Sequence, residues 1–138
     1  NFFGFSNQNK NMTISDKIIA DQKIGKITYL WKDIFFTPVY FKTLIFFLNL
    51  LMKNKKYGIF NISSDEKISK FEFGKKILNK LNIKYKIKSN LFNKSLFVLR
   101  PKNMSLSNKK IKKCFPKEAS RLKINNQMKL FVNDYYKK

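Results

Sequence analysis

The stretch YGIFNISSDEKISKFEFGKK, residues 57–76, decides the fold class of this chain. Residues 57–62 are a β-rich apolar run that contains a glycine, and the serines and the aspartate at 63–65 favour a turn after it. An amphipathic helix is predicted to follow the turn. Because a strand that leads into such a helix is one half of a βαβ unit, the sequence predicts an α/β protein.

The start of that helix carries a capping signal. The Ser69 hydroxyl can accept from the backbone N–H of Glu72, and the Glu72 carboxylate can reach back to the N–H of Ser69. Apolar side chains then recur four residues apart on one helical face, from Phe73 to Leu81, and Gly74 allows a neighbouring element to approach closely. The sequence therefore predicts a helix with one buried face directly after the turn.

The rest of the chain alternates short extended runs with helices. The block 41–53 is apolar around nearly its whole circumference, which indicates a helix that is buried or covered by a partner. The other predicted elements are a strand end with a glycine turn at 1–4, a helix from about 15 to 25, strands at 26–31 and 34–40 with a bend at Pro38, a weak strand at 85–88, a short helix capped at Ser107 or Asn108, and a final helix at 124–135.

The size of the chain and its cysteine usage bound the class of protein. At 138 residues it is one domain or a piece of one. It opens with Asn1 and two phenylalanines rather than with Met and a polar lead-in, so we expect a piece of a longer protein. The one cysteine, Cys114, excludes an internal disulfide and fits a reducing compartment. The longest apolar block, 44–52, is shorter than the roughly 20 residues of a membrane span, so we expect a soluble cytoplasmic protein.

The formal net charge is +22, from 30 basic and 8 acidic residues. Such a field attracts polyanions without any motif. However, only Arg100 and Arg121 are arginines, and the lysines are spread along the chain, whereas nucleic-acid-binding domains usually gather their charge and use arginine. An AT-rich coding sequence would give the same preference for lysine over arginine. We therefore expect no specific nucleic-acid partner and no membrane partner; a stand-alone basic nucleic-acid- or membrane-binding module stays open as the alternative.

Five blocks occur in the order and spacing of one enzyme family. They are NFFG (1–4), ISDKII (14–19) with GKIT (25–28), DIFFTP (33–38), GIFNIS (58–63) with ISKFEF (68–73), and RPKNMSL (100–106). Together they resemble the C-terminal half of an extended short-chain dehydrogenase/reductase, most closely the dTDP-4-dehydrorhamnose reductase family. The resemblance implies an α/β, Rossmann-type fold in which residues 1–138 supply late sheet strands and a small mixed α/β substrate-binding lobe.

The family pattern also indicates what this chain lacks. The family binds NADP or NAD at a Gly-rich turn, and Gly4, Gly25, Gly58 and Gly74 stand too far apart in the sequence to form one. It uses a Tyr with a Lys four residues later for proton transfer, a spacing that is absent here. By resemblance, the cofactor site and the catalytic pair fall upstream of residue 1. We assign no catalytic residue, and we expect this segment by itself to be inactive.

Five residues are candidates for substrate binding. Arg100 can pair with two phosphate oxygens at once, as in the family's Arg-Pro segment that holds the nucleotide-sugar diphosphate. Asn103 can bind the ribose or the diphosphate, or form a turn. Asn1 and Phe2 resemble positions that line the sugar pocket. Thr37 either lines the pocket floor or begins a helix. No Cys/His cluster predicts a metal site.

The resemblance thus implies the substrate-binding part of an NAD(P)-dependent oxidoreductase that reduces a nucleotide-linked 4-keto sugar for dTDP-rhamnose and cell-surface polysaccharide biosynthesis. The expected partner is the nucleotide sugar, and the resemblance is compatible with a homodimer in the intact enzyme. A nucleotide-sugar epimerase or dehydratase of the same superfamily is the alternative. In either enzyme, residues 58–63 would belong to a sheet whose other strands are missing, which leaves an unpaired apolar edge.

Overall fold

The computed structural model describes residues 2–6, 12–92 and 101–137. The chain forms two compact units, each built from separate stretches of sequence. We call the first the helical unit; it comprises Asn1–Gly4, Thr37–Glu66 and Leu106–Lys138. We call the second the mixed-sheet unit; it comprises Phe5–Phe36 and Lys67–Ser105.

Short strands and longer helices alternate along the chain. The strands are β1 (Phe2–Phe3), β2 (Thr28–Trp31), β3 (Phe35–Phe36), β4 (Val39–Tyr40), β5 (Ile68–Ser69), β6 (Ile87–Asn90) and β7 (Asn103–Met104). The helices are α1 (Ile14–Lys23), α2 (Phe41–Lys53), α3 (Lys70–Lys80), α4 (Lys109–Cys114) and α5 (Ile124–Tyr135), with a 3₁₀ turn at Ala119–Leu122. Helix α2 and helix α5 have the bounds that the sequence predicted.

An aromatic cluster and one buried amide hold the helical unit together. The rings of Phe3, Tyr40 and Phe131 contact one another, with centroids 5.4 to 5.8 Å apart. The side chain of Gln127, fully buried beside them, accepts from the Tyr40 N–H at 2.6 Å and donates to the Leu122 carbonyl at 2.9 Å. Because an unpaired buried amide would be costly, these two bonds hold α5 against β4 and against the 3₁₀ turn before it.

A second apolar cluster lies where α2 meets α4. Its buried members are Phe47, Leu51, Ile111, Phe115 and Leu122, and the half-buried Phe60 and Ile62 pack against it. The ring centroids of Phe47 and Phe115 are 6.5 Å apart. One face of α2 is therefore buried inside the helical unit.

At the other end of α5, a carboxylate ties β4 and α2 to the last helix. Asp134 accepts a hydrogen bond from the Tyr40 hydroxyl and another from Lys42 Nζ at 2.7 Å. Burial and the Asp134 carboxylate both raise the pKa of Tyr40, so its hydroxyl stays a donor. Burial would raise the pKa of Asp134, but the bonds from Lys42 and Tyr40 and the lysine charge lower it overall.

The mixed-sheet unit contains two small sheets. Strand β2 pairs in parallel with β6, and β3 lies between antiparallel β5 and parallel β7. Helix α3 packs close to β2 at Gly74, where an added Cβ would lie 2.4 Å from Leu30 Cδ1 and 3.4 Å from Ile18 Cδ1. The predicted close approach at Gly74 is therefore confirmed.

The capping prediction is half right. The Ser69 hydroxyl accepts from the Glu72 N–H at 3.1 Å, as expected, but the Glu72 carboxylate lies 3.7 Å from Lys75 Nζ rather than closing the box. The complete capping box is at the start of α1, where Thr13 and Asp16 bond to each other's backbone N–H groups. Helix α1 thus begins at Ile14 through a cap that the sequence reading overlooked.

The strand predicted at 57–62 is wrong. The side chains of this segment alternate as in a strand, since Phe60 and Ile62 face the α2–α4 cluster while Ile59 is 86% exposed. However, among the described residues no strand lies beside it, and the Ile59 carbonyl instead accepts from Lys110 Nζ at 2.7 Å. A run with the composition of a strand is not one without a partner to complete the ladder.

Gly4→Ala is expected to destabilise the helical unit. Gly4 has φ +150°, and an added Cβ would lie 2.3 Å from the ring of Phe41, which packs against the Tyr40 ring with centroids 4.9 Å apart. Overpacking and backbone strain together should lower the free energy of unfolding by about 2 kcal/mol or more. Gly25→Ala is the control, because Gly25 has φ +69° but no atom within 4 Å of the added Cβ. Equal losses in chemical denaturation would contradict the predicted clash.

Asp134→Asn is expected to flatten the acid limb of the stability curve. Because the folded-state pKa of Asp134 is lowered, its stabilisation is complete above its unfolded pKa and is lost as pH falls through the folded value. At neutral pH the variant should have a free energy of unfolding about 1–2 kcal/mol below that of the parent chain. Between about pH 5 and pH 3, the free energy of unfolding of the variant should fall less than that of the parent chain. Urea unfolding across that range measures this. Glu118→Gln is the matched control, because the Glu118 side chain bonds to no described residue. Identical slopes for Asp134→Asn and the parent chain would overturn the assignment.

Candidate functional site

The structure describes three of the five predicted site residues; Asn1 and Arg100 lie outside the described residues. Phe2 is in β1 and 56% exposed. Thr37 is buried, and its Oγ1 accepts from the backbone N–H of Leu106 at 3.1 Å. Thr37 does not begin a helix, since α2 starts at residue 41. Phe2 and Thr37 belong to the helical unit, and their roles in substrate binding stay predictions.

Asn103 belongs to the mixed-sheet unit, in strand β7. Its Oδ1 accepts from the N–H of Ser105 at 3.2 Å and from the Ser105 hydroxyl at 2.7 Å, so the side chain ends the strand in a local turn. The Asn103 side chain is exposed, and its Nδ2 donates to no residue in the described part of the chain. The amide donor of Asn103 is therefore the part of this side chain that a ligand could use.

Asp33 organises the segment on which Asn103 stands. Its Oδ1 accepts from the Phe92 N–H at 2.9 Å, and its Oδ2 lies 3.0 Å from Lys102 Nζ. The N–H of Phe35 donates to the carbonyl of Lys102 at 2.8 Å, which begins the β3–β7 pairing. One carboxylate therefore ties residue 92 and residue 102 to the start of β3.

The electrostatics of Asp33 keep this carboxylate ionised. Its burial would raise the pKa, but the hydrogen bonds from Phe92 and Lys102 and the lysine charge lower the pKa overall. A carboxylate that is charged and held by two donors can hold a segment in place without titrating near neutral pH. The role that the structure gives to Asp33 is positioning.

Sequence reasoning missed this role. It identified Asp33 only as part of the DIFFTP block. A usable signal was present, because an acid in a chain with 30 basic and only 8 acidic residues has many possible lysine partners, and Lys102 stands in another block of the same resemblance. The pairing spans 69 positions, so local pattern could not specify which lysine it was.

Among the described site residues, Asn103 offers an exposed amide donor to a ligand, and none of Phe2, Thr37 and Asn103 is a group that transfers protons near neutral pH. Tyr40, the tyrosine with a strongly raised pKa, is buried and donates to Asp134. Within residues 2–6, 12–92 and 101–137, no group of three His, Cys, Asp or Glu side chains could hold a metal ion. In the same ranges no helix is long and apolar enough to span a membrane.

Solved structures share this fold. A dTDP-4-dehydrorhamnose reductase from Bacillus anthracis, in complex with NADP, is 23% identical, with a TM-score of 0.70 over 83% of this chain and 39% of that one. The reductase from Yersinia enterocolitica is 20% identical, with a TM-score of 0.71 over 94% of this chain and 47% of that one. A UDP-N-acetylglucosamine 4-epimerase from Methanobrevibacter ruminantium, in complex with UDP-N-acetylmuramic acid, is 16% identical, with a TM-score of 0.63 over 97% and 44%.

The chain thus spans less than half the length of each of these proteins. No protein-family model and no curated protein matches the sequence. At these identities the likeness shows the fold, and both reductases and epimerases have it. The chain is an α/β protein with the fold of the C-terminal portion of the extended short-chain dehydrogenase/reductases.

Proposed function

We propose that this chain is the nucleotide-sugar-binding portion of an NAD(P)-dependent reductase that acts on a nucleotide-linked 4-keto sugar of the dTDP-4-dehydrorhamnose type. The observation that carries the proposal is the likeness to dTDP-4-dehydrorhamnose reductases over 94% of the chain, at a TM-score of 0.71. The five sequence blocks agree with it, because they match the same family in the same order.

The contribution of this portion is binding and orientation of the substrate. The described residues do not fit a dinucleotide: Gly4, Gly25, Gly58 and Gly74 lie in four separate places, and none forms a Gly-rich turn at the start of a helix. The proposal therefore assigns NAD(P) and the proton-transfer pair to a portion of the enzyme outside these residues. It places the intact enzyme in the cytoplasm.

The diphosphate of the substrate is proposed to bind at the RPKNMSL block. Arg100 would pair with two phosphate oxygens, and the Nδ2 of Asn103 would donate to the ribose or the diphosphate. Asp33 supports this assignment, because its bonds to residues 92 and 102 fix the chain on both sides of the stretch that carries Arg100. Asn1, Phe2 and Thr37 are proposed to line the sugar pocket.

The exposed face of the helical unit agrees with an enzyme that needs a further portion. Ile45, Leu48 and Met52 form an exposed apolar stripe on α2 at spacings of three and four residues. Residues 57–62 add the exposed side chains of Tyr57 and Ile59, and no described strand lies beside them. A cofactor-binding portion that packs here would cover this apolar surface.

The second candidate is a nucleotide-sugar epimerase or dehydratase. It is favoured by the likeness to the 4-epimerase over 97% of the chain, although the TM-score of 0.63 is lower than those of the two reductases. Both candidates share the same binding portion, so the chain's own contacts to a nucleoside diphosphate are the first property to test.

Arg100→Gln is expected to weaken binding of dTDP-rhamnose to the 138-residue chain by about tenfold to a hundredfold, because a bidentate charged pair with the diphosphate is lost. Asp33→Asn should weaken it by about fivefold, through loss of the Lys102 pairing that positions the same segment. Isothermal titration calorimetry measures both effects.

Lys84→Gln is the matched control, because it removes one positive charge from an exposed residue elsewhere in the mixed-sheet unit. Equal weakening by Arg100→Gln and Lys84→Gln would replace the proposed site with a general charge effect. If random-sequence duplex DNA displaces dTDP-rhamnose at low salt, and added salt abolishes the binding, the basic-module alternative is favoured.

A further inference from the structure

Side-chain hydrogen bonds join two distant stretches of the helical unit, residues 61–63 and residues 106–108. The Ser63 hydroxyl donates to the carbonyl of Leu106 at 3.1 Å. In return, Asn108 Nδ2 donates to the carbonyl of Ser63 at 3.0 Å. The two stretches are therefore held together by bonds that run in both directions, although they are more than forty positions apart in the sequence.

Leu106 is held at both of its backbone polar groups. Its carbonyl accepts from Ser63, and its N–H donates to Thr37 Oγ1 at 3.1 Å. Ser63 is 1% exposed, so water cannot replace a protein acceptor for its hydroxyl. The one other acceptor near this hydroxyl is the carbonyl of Ser64, which is farther away, at 3.3 Å. The Ser63 hydroxyl thus fixes the position of the Leu106 carbonyl.

Leu106 is the last residue of the RPKNMSL block, and the residue before it sets the orientation of Asn103. The Ser105 N–H and hydroxyl both donate to Asn103 Oδ1, at 3.2 and 2.7 Å. With Oδ1 engaged in this way, Nδ2 is the end of the amide that a ligand can reach. Because Ser105 is covalently bonded to Leu106, the bonds that fix Leu106 also restrict Ser105. A continuous series of contacts therefore leads from Ser63 to the Asn103 amide.

The neighbouring serine lacks any such connection. Ser64 is as buried as Ser63, at 1% exposure, but its hydroxyl donates to the carbonyl of Glu66, two positions along the chain. The bond of Ser64 therefore stabilises a local turn, whereas the bond of Ser63 reaches the proposed binding block.

We propose that Ser63 is a positioning residue for the nucleotide sugar, which acts through Leu106 and Ser105 to hold the Asn103 amide with Nδ2 toward the ligand. The inference rests on the proposed function, since Asn103 is assigned there to the ribose or the diphosphate. Ser63 itself is too deeply buried to touch the ligand.

The first test needs no ligand. The side-chain amide of Asn103 gives a pair of NMR resonances in the free chain, and their loss in Asn103→Ala assigns them. We expect Ser63→Ala to shift these resonances. Ser64→Ala is the matched control and should leave them in place, because it removes an equally buried hydroxyl whose bond is local.

The second test is the affinity of the 138-residue chain for dTDP-rhamnose, measured by isothermal titration calorimetry. Ser63→Ala should weaken binding about threefold to fivefold, and Asn103→Ala about fivefold to tenfold. The double variant should bind no more weakly than Asn103→Ala alone, because Ser63 acts only through Asn103. A general loss of stability would instead give losses that add.

Unchanged Asn103 resonances in Ser63→Ala would overturn the proposal, as would equal weakening by the two serine variants or additive losses in the double variant. If the parent chain does not bind dTDP-rhamnose, the proposed function is wrong, and the amide resonances still decide whether Ser63 sets the orientation of Asn103.

A second pair of variants serves if Ser63→Ala does not fold. Asn61 is exposed, and its Nδ2 donates to the Ser107 carbonyl at 3.3 Å, so Asn61→Ala cuts another bond between the same two stretches. Its control is Asn54→Ala, which removes an exposed amide that donates to the Leu50 carbonyl at 2.8 Å. We expect only Asn61→Ala to shift the Asn103 resonances, and equal spectra for the two variants would overturn the proposal.

Discussion

The carboxylate of Asp33 is the constraint on which the mixed-sheet unit depends. Strand β3 has two residues and yet lies at the centre of the β5–β3–β7 sheet, so its few ladder bonds cannot hold it in place unaided. Asp33 stands just before it and binds Phe92 and Lys102, which are 59 and 69 positions away. Because removing a carboxylate from water is costly unless it is paired, the two partners together favour the observed position of β3.

The elements that the sequence predicted best are those whose signals are local. Helices α2 and α5 were predicted to the residue, because apolar spacing within a dozen positions decides them. The Ser69 cap was found by the same reasoning. The Thr13–Asp16 box at the start of α1 is local too, but the prediction put the start of this helix near Ser15, two residues after the cap.

The other wrong or missing predictions concern properties that depend on distant residues. Composition describes residues 57–62 correctly as a run that could pair, but whether a strand forms depends on a neighbour that the run does not encode. The two-residue strands β1, β3, β4, β5 and β7 have the same dependence. The site shows the same limit: Thr37 was recognised as a candidate, but its bond to Leu106 spans 69 positions, as does the pairing of Asp33 with Lys102.

Gly4 and Gly74 have a role in packing. In a dinucleotide-binding turn, glycine is needed so that backbone can approach a pyrophosphate. Here Gly4 leaves space for the ring of Phe41, and Gly74 leaves space for the side chain of Leu30. Each of these two glycines thus has a packing reason, and no phosphate is required to explain it. The carboxylates of Asp33 and Asp134 likewise hold segments of the chain together, each through two partners that are distant in the sequence.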